Sequence, residues 1–166
     1  MIGAERSEAQ FRLHVGNASD SLATATLRIE VEMLFGQEHV RRYLETDGAE
    51  GHDWQGTTVL ILTTTGRLSG DPRSTPLIYG KHGADYVVVA SKGGAEEHPA
   101  WYLNLSAEPE VAVQVRGDRF RARARTAVAD EKPELWSLMT DRWPAYDEYQ
   151  HKTTREIPVV VLEREE

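Results

Sequence analysis

Short apolar runs separated by turn residues dominate the chain from residue 57 onward, and they predict more strands than helices. Runs rich in β-branched or aromatic residues are bounded by Gly, Pro and Asp, as expected for strands that tight turns connect. Such runs occupy residues 58–64, 74–79, 86–90, 111–116, 119–128 and 158–162. A turn at Gly117-Asp118 joins the fourth and fifth runs into a hairpin, and the alternation in the fifth predicts one solvent-facing side.

Three stretches carry helical patterns. The first is amphipathic and begins near residue 34. A short helix is predicted to start at His98-Pro99, because proline is accepted in the first helical turn. Asp130 is the predicted N-cap of a third helix, which Pro144 interrupts. Hairpin-length connections favour antiparallel strands, so we expect a mainly β protein, a small barrel or strongly curled sheet with helices packed outside.

Residues 34–166 are predicted to form one functional domain. The whole chain has 166 residues, a length that suits a single domain with an adequate core. Residues 1–33 are poorly patterned, since helical and strand-like spacings mix there and no chemistry is evident. We expect this segment to be a loosely attached extension, or the product of too early a start codon.

Composition excludes several classes of function. The chain is 40% hydrophobic and 28% charged, and its formal net charge is −8, which argues against a nucleic-acid partner. No apolar run reaches the ~18 residues of a membrane span, and no signal peptide is evident, so cytoplasmic residence is predicted. Association with the inner face of the cell membrane stays open. Cysteine is absent and the histidines lack metal-ligand spacing, so no metal site is expected.

Two glycine-bracketed basic turns follow two of the apolar strands. The first basic turn, residues 66–73 (GRLSGDPR), carries Arg67, Ser69 and Arg73; the second, residues 91–94 (SKGG), carries Lys92. Glycine lets backbone N–H groups converge on an anion, and arginine binds phosphate oxygens bidentately. With Lys81, these cations form a basic island on an acidic protein, which indicates a small anionic ligand. Ordinary solvated turns are the alternative.

Aromatic residues cluster near the predicted helices. Trp143, Tyr146 and Tyr149 surround the proline at 144, and they could form a lid over a planar ligand. A purely structural apolar cap is the alternative. Trp101 and Tyr102 start the short helix, where packing in the core is the simpler interpretation. We expect the histidine at position 98 to start that helix and not to act as a base.

These segments together resemble the deazaflavin-dependent nitroreductase family, also described as F420H2-dependent quinone reductases of actinobacteria. The resemblance spans about residues 57–163 through TTTGRLSG, DPRSTPL, ASKGGAEEHPAWYLNL, WPAYDEYQ and REIPVVVLE. It implies a split β-barrel with about six antiparallel strands and flanking helices. It also implies coenzyme F420, a 5-deazaflavin with ribitol, phosphate, lactate and a polyglutamate tail.

By motif position, the resemblance assigns the cofactor contacts to the two basic turns, the strand after the first of them and the start of the short helix. These residues are Arg67, Leu68, Ser69, Arg73, Ser74, Thr75, Pro76, Leu77, Ile78, Val89, Ala90, Ser91, Lys92, Ala100, Trp101, Tyr102, Leu103 and Asn104. Tyr146 matches the family's lid tyrosine, and Ser91 matches a serine near substrate and deazaflavin. With Tyr149, these two are the catalytic candidates.

Two residues depart from the family's characterised nitroreductase, which has lysine at the position of Leu68 and tyrosine at that of Trp143. The expected function is an F420H2-dependent oxidoreductase that transfers hydride to a flat electrophile such as a quinone or a nitro compound. Two alternatives stay open: an FMN-dependent oxidoreductase on the same barrel, and a non-catalytic flavin or F420 carrier or sensor. The physiological substrate and the oligomeric state are not predicted.

Overall fold

The sheet of this protein curls until its two ends are joined by one chain segment. The computed structural model describes residues 34–166, so the extension predicted over residues 1–33 lies outside the described part. The strands are β1 (Asp53–Trp54), β2 (Thr57–Thr65), β3 (Pro72–Ile78), β4 (Gly80–His82), β5 (Asp85–Val89), β6 (Glu110–Val115), β7 (Asp118–Thr126) and β8 (Val159–Arg164). The helices are α1 (Gly36–Thr46), α2 (Ala100–Ala107), α3 (Lys132–Arg142) and α4 (Ala145–Lys152), with a 3₁₀ turn at Lys92–Gly94.

Every strand pair is antiparallel, in the order β1-β2-β6-β7-β8-β5-β4, and β3 pairs with β2. At one end of the sheet Ile78 of β3 lies opposite Val59, and at the other end Gly80 of β4 lies opposite Val87. Only Tyr79 separates these two pairings, so a single segment bridges both ends. This closure confirms the mainly β, split-barrel prediction.

The number of strands exceeds the predicted six or so because two strands are very short. β1 has two residues and β4 has three, too few to give a recognisable periodicity. The six longer strands match the predicted runs. The hairpin turn between β6 and β7 falls at Arg116-Gly117, one residue earlier than predicted, since Val115 pairs with Asp118.

The apolar runs of β5 and β8 are continuous because both faces of these strands are buried. Val88 and Leu162 point into the barrel, whereas Val87 and Val161 pack outside it against Leu135 and other residues of α3 and α4. The prediction that β7 has one solvent-facing side is confirmed, because its phenylalanine and alanines are buried and the arginines between them face outward.

The predicted helix starts need two corrections. Asp130 is not the N-cap of α3, because Glu131 takes that position. The Glu131 carboxylate accepts the Val128 N–H at 2.8 Å and pairs with Arg125, so contacts outside the helix fix where it begins. Pro99 is the N-cap of α2 and not a residue of its first turn. The break predicted at the next proline, position 144, is confirmed between α3 and α4.

Tyr43 fastens α1 to the outside of the barrel. Its side chain is fully buried, and its hydroxyl donates to the Val59 carbonyl at 2.9 Å and accepts the Arg116 N–H at 2.8 Å. Burial raises the pKa of Tyr43 to about 12, so the hydroxyl stays protonated and can serve both partners.

We therefore expect Tyr43→Phe to lower the free energy of unfolding by about 1–3 kcal/mol, because two backbone groups lose their partner. Chemical denaturation measured by circular dichroism checks this value. Tyr86→Phe is the matched control, since the Tyr86 side chain is also buried and its hydroxyl takes part in none of the hydrogen bonds formed within residues 34–166. Equal stability of the two variants would contradict the assigned role of the Tyr43 hydroxyl.

Candidate functional site

β3 is an edge strand, and two adjoining cavities lie along it. It pairs only with β2 in the described part of the chain, and Pro72 and Pro76 fit an edge because proline has no N–H to give a second neighbour. A basic cavity of about 460 Å³ is lined by the first four residues of β3, and an apolar cavity of about 410 Å³ by the last three. Trp101 lines both cavities.

The first basic turn is held by its own backbone and by Ser69. The Gly66 N–H donates to the Asp71 carbonyl at 2.7 Å, and the Gly70 N–H donates to the Gly66 carbonyl at 2.7 Å. The Ser69 hydroxyl accepts the Asp71 N–H at 3.1 Å. A Cβ at position 66 would lie 2.8 Å from this hydroxyl, which explains the glycine there. The turn is thus a fixed support for its charged side chains.

Asn104 clamps the same turn from α2. Its buried amide oxygen accepts from the Arg67 backbone N–H at 3.1 Å and from the Arg67 guanidinium at 2.9 Å. Its amide nitrogen donates to the Thr64 hydroxyl at 3.2 Å. Asn104 therefore fixes the position of Arg67 at the basic cavity. The sequence predicted Arg67 as a cofactor contact but did not predict this hydrogen bond.

The positive charge of the basic cavity is not neutralised by the carboxylates of residues 34–166. Within residues 34–166 neither Arg67 nor Arg73 forms an ion pair with a carboxylate, whereas Arg119 and Arg123 of β7 do. The amides of residues 100 and 101 precede the first hydrogen bond of α2, so the positive end of that helix adds to the field. An anion is the chemical complement of this cavity.

The basic island predicted from the sequence is smaller in the structure. Lys81 lies over the Tyr86 ring at 4.9 Å on β4 and lines neither cavity. Lys92 lines the apolar cavity, and its ammonium group lies 3.6 Å from the Glu97 carboxylate. Arg67 and Arg73 remain as the two cations of the basic cavity.

The apolar cavity has aromatic walls. Trp143, Tyr146 and Tyr149, the predicted cluster, line one side. Tyr146 and Tyr149 meet edge to face at 6.1 Å between ring centroids, and the Trp143 indole N–H donates to the Tyr149 hydroxyl at 3.4 Å. Trp54 lies 5.8 Å from Trp143 and completes the wall. Flat, apolar surfaces of this kind suit a planar ring.

Two hydroxyls in the apolar cavity have no partner in the described part of the chain. Ser91 and Tyr146 are both buried, at 8% and 5% exposure, and both line this cavity. Burial, with a smaller effect of Tyr149, strongly raises the pKa of Tyr146, so its hydroxyl remains a hydrogen-bond donor at neutral pH. These groups are available to a carbonyl or a developing anion.

Most of the predicted cofactor-binding and catalytic residues line one of the two cavities. The basic cavity receives Arg67, Leu68, Ser69, Arg73, Ser74, Thr75, Ala100, Trp101 and Asn104. The apolar cavity receives Pro76, Leu77, Ile78, Val89, Ser91, Lys92, Trp101, Tyr146 and Tyr149.

Three predicted residues line neither cavity. Ala90 is fully buried in the barrel core. Tyr102 packs against that core and its hydroxyl bonds to the Thr126 hydroxyl at 2.8 Å. Leu103 is half-buried on α2. Residues 102 and 103 follow Trp101 around α2, so their side chains leave the helix in other directions.

Sequence reasoning missed several aromatic residues of the apolar cavity, chiefly Phe35, His39 and Trp54. Trp54 belongs to a Gly-rich linker, residues 48–56 (GAEGHDWQG), where a lone tryptophan is an unusual residue and was the available signal. His52 anchors this linker, because its Nδ1–H donates to the Asp53 carboxylate at 2.7 Å and its Nε2 accepts from the Tyr79 hydroxyl at 2.8 Å.

His39 is a neutral part of the cavity wall. Burial lowers its pKa, against the smaller opposite effect of its hydrogen bond to the Gly51 carbonyl. Its Nε2–H donates to that carbonyl at 2.8 Å, so Nδ1 carries the lone pair. The ring also lies 5.9 Å from that of Trp54. His39 thus joins α1 to the aromatic wall.

Fold and site define a split-barrel protein with one cavity suited to an anion and an adjoining cavity suited to a flat apolar ring. Across residues 34–166 no group of three acidic or histidine side chains is arranged to hold a metal ion. None of the helices in the same range is long and apolar enough to cross a membrane.

Comparison with known proteins gives the family. A family model described as F420H(2)-dependent quinone reductase matches residues 35–164. An F420H(2)-dependent quinone reductase of Mycobacterium tuberculosis is 40% identical over 131 residues, which cover 76% of this chain and 87% of the relative. The chain belongs to the F420H(2)-dependent quinone reductase family, and it is an oxidoreductase. The family resemblance found in the sequence is therefore confirmed.

Solved structures agree with this assignment. An F420-H2 dependent reductase is 40% identical, with a TM-score of 0.60, and the match covers 63% of this chain and 93% of that one. A chain described as a domain-swapped dimer is 39% identical, with a TM-score of 0.63, and the match covers 76% of this chain and 96% of that one.

Proposed function

We propose that this chain binds F420H2 across the two cavities and uses it to reduce a quinone. The observation that carries the proposal is the adjacency of a basic cavity and an aromatic-walled cavity along one strand edge, with Trp101 common to both. F420 has a matching division, since its phosphate and polyglutamate tail are anionic and its deazaflavin ring is flat and aromatic. FMN would place a single phosphate near the same arginines, but the family is F420-dependent.

The donor set of the basic cavity fits the anionic part of F420. Arg67 and Arg73 offer two guanidiniums without internal ion pairs, and Ser69 and the turn backbone add neutral donors. Leu68, which replaces a lysine of the family's characterised nitroreductase, is 91% exposed at the rim. The tail contacts in this chain are therefore assigned to the two arginines.

The apolar cavity would hold the ring and the substrate. Pro76, Leu77, Ile78 and Val89 supply an apolar surface, and Trp101 adds an aromatic one. When bound, the reduced deazaflavin supplies a hydride from its C5 position. The protein's part would be to bind and orient both molecules in this cavity and to limit competing water.

Substrate activation is assigned to the free hydroxyls. Ser91 and Tyr146 can donate hydrogen bonds to a quinone oxygen, and such bonds strengthen as negative charge develops there. Tyr149 holds the Tyr146 ring by its edge-to-face contact and so shapes the pocket. The proposal includes residence in the cytoplasm, with access to quinones at the inner face of the membrane.

Two measurements on the purified protein test this function. Fluorescence titration with F420 and with FMN compares the two cofactors, and we expect tighter binding of F420. Anaerobic oxidation of F420H2 with menadione then tests for turnover. Binding of FMN with no affinity for F420 would overturn the cofactor assignment. Binding of F420 without turnover on a panel of quinones and nitro compounds would favour a carrier or sensor.

We expect Arg67→Ala and Arg73→Ala each to weaken F420 binding by roughly 1.5–3 kcal/mol, about ten- to 150-fold in Kd, because each loses a charge-assisted hydrogen bond. Arg121→Ala is the control, since Arg121 is exposed on the outer face of β7 and lines neither cavity. Unchanged affinity in both test variants would show that the basic cavity does not hold the cofactor.

Tyr146→Phe separates binding from substrate activation. The ring and its packing remain, so F420 affinity should stay within about twofold, whereas kcat with menadione should fall roughly ten- to a hundredfold through loss of one donor. Steady-state kinetics and the same titration measure both quantities. Tyr86→Phe, in the barrel core, should change neither. An unaltered kcat in the Tyr146 variant would remove this hydroxyl from the mechanism.

A further inference from the structure

A single guanidinium lies behind the second basic turn and bonds to it repeatedly. Arg155 donates to the carbonyls of Ser91 and Ala95, each at 2.8 Å, and to the carbonyl of Ala90 at 3.3 Å. It also donates to Nδ1 of His98 at 3.1 Å. All four acceptors belong to the loop between β5 and α2, which also carries four residues of the apolar cavity, namely Ser91, Lys92, Gly93 and Pro99.

All the hydrogen bonds of the Arg155 guanidinium within residues 34–166 go to this loop. No carboxylate between residues 34 and 166 forms an ion pair with it, and its partial burial lowers its pKa from the ordinary arginine value. An arginine remains protonated even so, and its five donors can satisfy several carbonyls at once. A lysine could serve fewer of these acceptors, and in a less fixed geometry.

The loop needs such support because its backbone is unusual. Lys92, Gly93 and Gly94 lie in the left-handed region, with φ of 46°, 63° and 85°. Two glycines accept this conformation, but lysine disfavours it, because its Cβ crowds the following carbonyl oxygen. Strained backbone of this kind persists only where surrounding contacts hold it.

The turn is also packed tightly against α4. A Cβ at Gly94 would lie 2.6 Å from the Tyr149 carbonyl oxygen, so the turn touches the backbone of the helix that carries Tyr146 and Tyr149. Arg155 follows α4 by three residues. Its guanidinium therefore lies where the turn and the end of the aromatic helix meet.

We propose that Arg155 is a positioning residue: it holds Lys92, Gly93 and Gly94 in their left-handed conformation and so sets Ser91 and Lys92 on the wall of the apolar cavity. Its effect on the turn is independent of any ligand. Its effect on catalysis rests on the function proposed above. His98 completes the arrangement as a neutral acceptor, since burial and then the charge of Arg155 lower its pKa.

Hydrogen exchange of the cofactor-free protein, measured by NMR, tests the first part. In Arg155→Met the Gly94 and Ala95 amides, which donate to the Ser91 and Lys92 carbonyls at 2.9 and 3.1 Å, should exchange at least about tenfold faster. The amides of β5 and β8 should keep their rates. The pKa of His98, from its imidazole shifts, should rise towards the ordinary histidine value.

Arg142→Met is the matched control, because Arg142 is also half-buried and bonds instead to the Thr58 hydroxyl at 3.2 Å. It should leave the turn amides unchanged. Unaltered exchange at Gly94 and Ala95 in the Arg155 variant would overturn the proposal. A uniform increase that includes β5 and β8 would also overturn it, because it would indicate general destabilisation only.

Chemical rescue tests the link to the site. Arg155→Ala should lower kcat with F420H2 and menadione at least about tenfold, and millimolar guanidinium should restore part of it, whereas methylammonium should not. Absence of rescue, with the turn amides still fast in guanidinium, would reject the positioning role. If the wild-type protein does not bind F420, the proposed function fails by itself, and the exchange measurements still decide the role of Arg155.

Discussion

Closure of the barrel by one continuous segment is the constraint on which the site depends. Residues 72–82 pair with β2 before Tyr79 and with β5 after it, so the chain must leave one end of the curled sheet and join the other. Within residues 34–166 β3 pairs with β2 along one edge and leaves its other edge unpaired. That free edge, which contains two prolines, is where both cavities lie, and every residue of β3 lines one of them.

The distribution of charge gives this edge its chemistry. The chain is acidic, with a formal net charge of −8, yet most of its exposed arginines are matched: Arg119 with Asp47, Arg123 with Glu110 and Arg164 with Asp118. Such exposed pairs add little stability, but they remove cations that could attract an anion elsewhere. Among the exposed arginines of residues 34–166, Arg67, Arg73 and Arg121 form no ion pair with a carboxylate, and of these Arg67 and Arg73 lie together at the basic cavity. The attraction for an anion is therefore strongest there.

The longer strands and the two basic turns could be predicted from sequence because their signals are local. β-branched runs, Gly-Asp-Pro turns and the proline at position 144 act on their immediate neighbours. What could not be predicted depends on contacts between distant residues. Glu131, not Asp130, starts α3 because Arg125 lies beside it, and Trp54 joins the cavity because His52 ties its linker to Tyr79. The roles assigned to the site residues remain predictions.

The turn that carries Ser91 and the helix that carries Tyr146 form two sides of the apolar cavity, and they contact each other directly. Ser91 stands at the end of β5 and Tyr146 on α4, 55 residues later, yet Gly94 lets the turn contact the backbone at Tyr149. Arg155 then bonds to the turn from the chain that leaves α4. A shift of the turn or of α4 would therefore move the hydroxyls of both Ser91 and Tyr146 relative to β3. Holding the turn in place thus also holds the distance between these two hydroxyls and the β3 edge, against which a flat ring would lie.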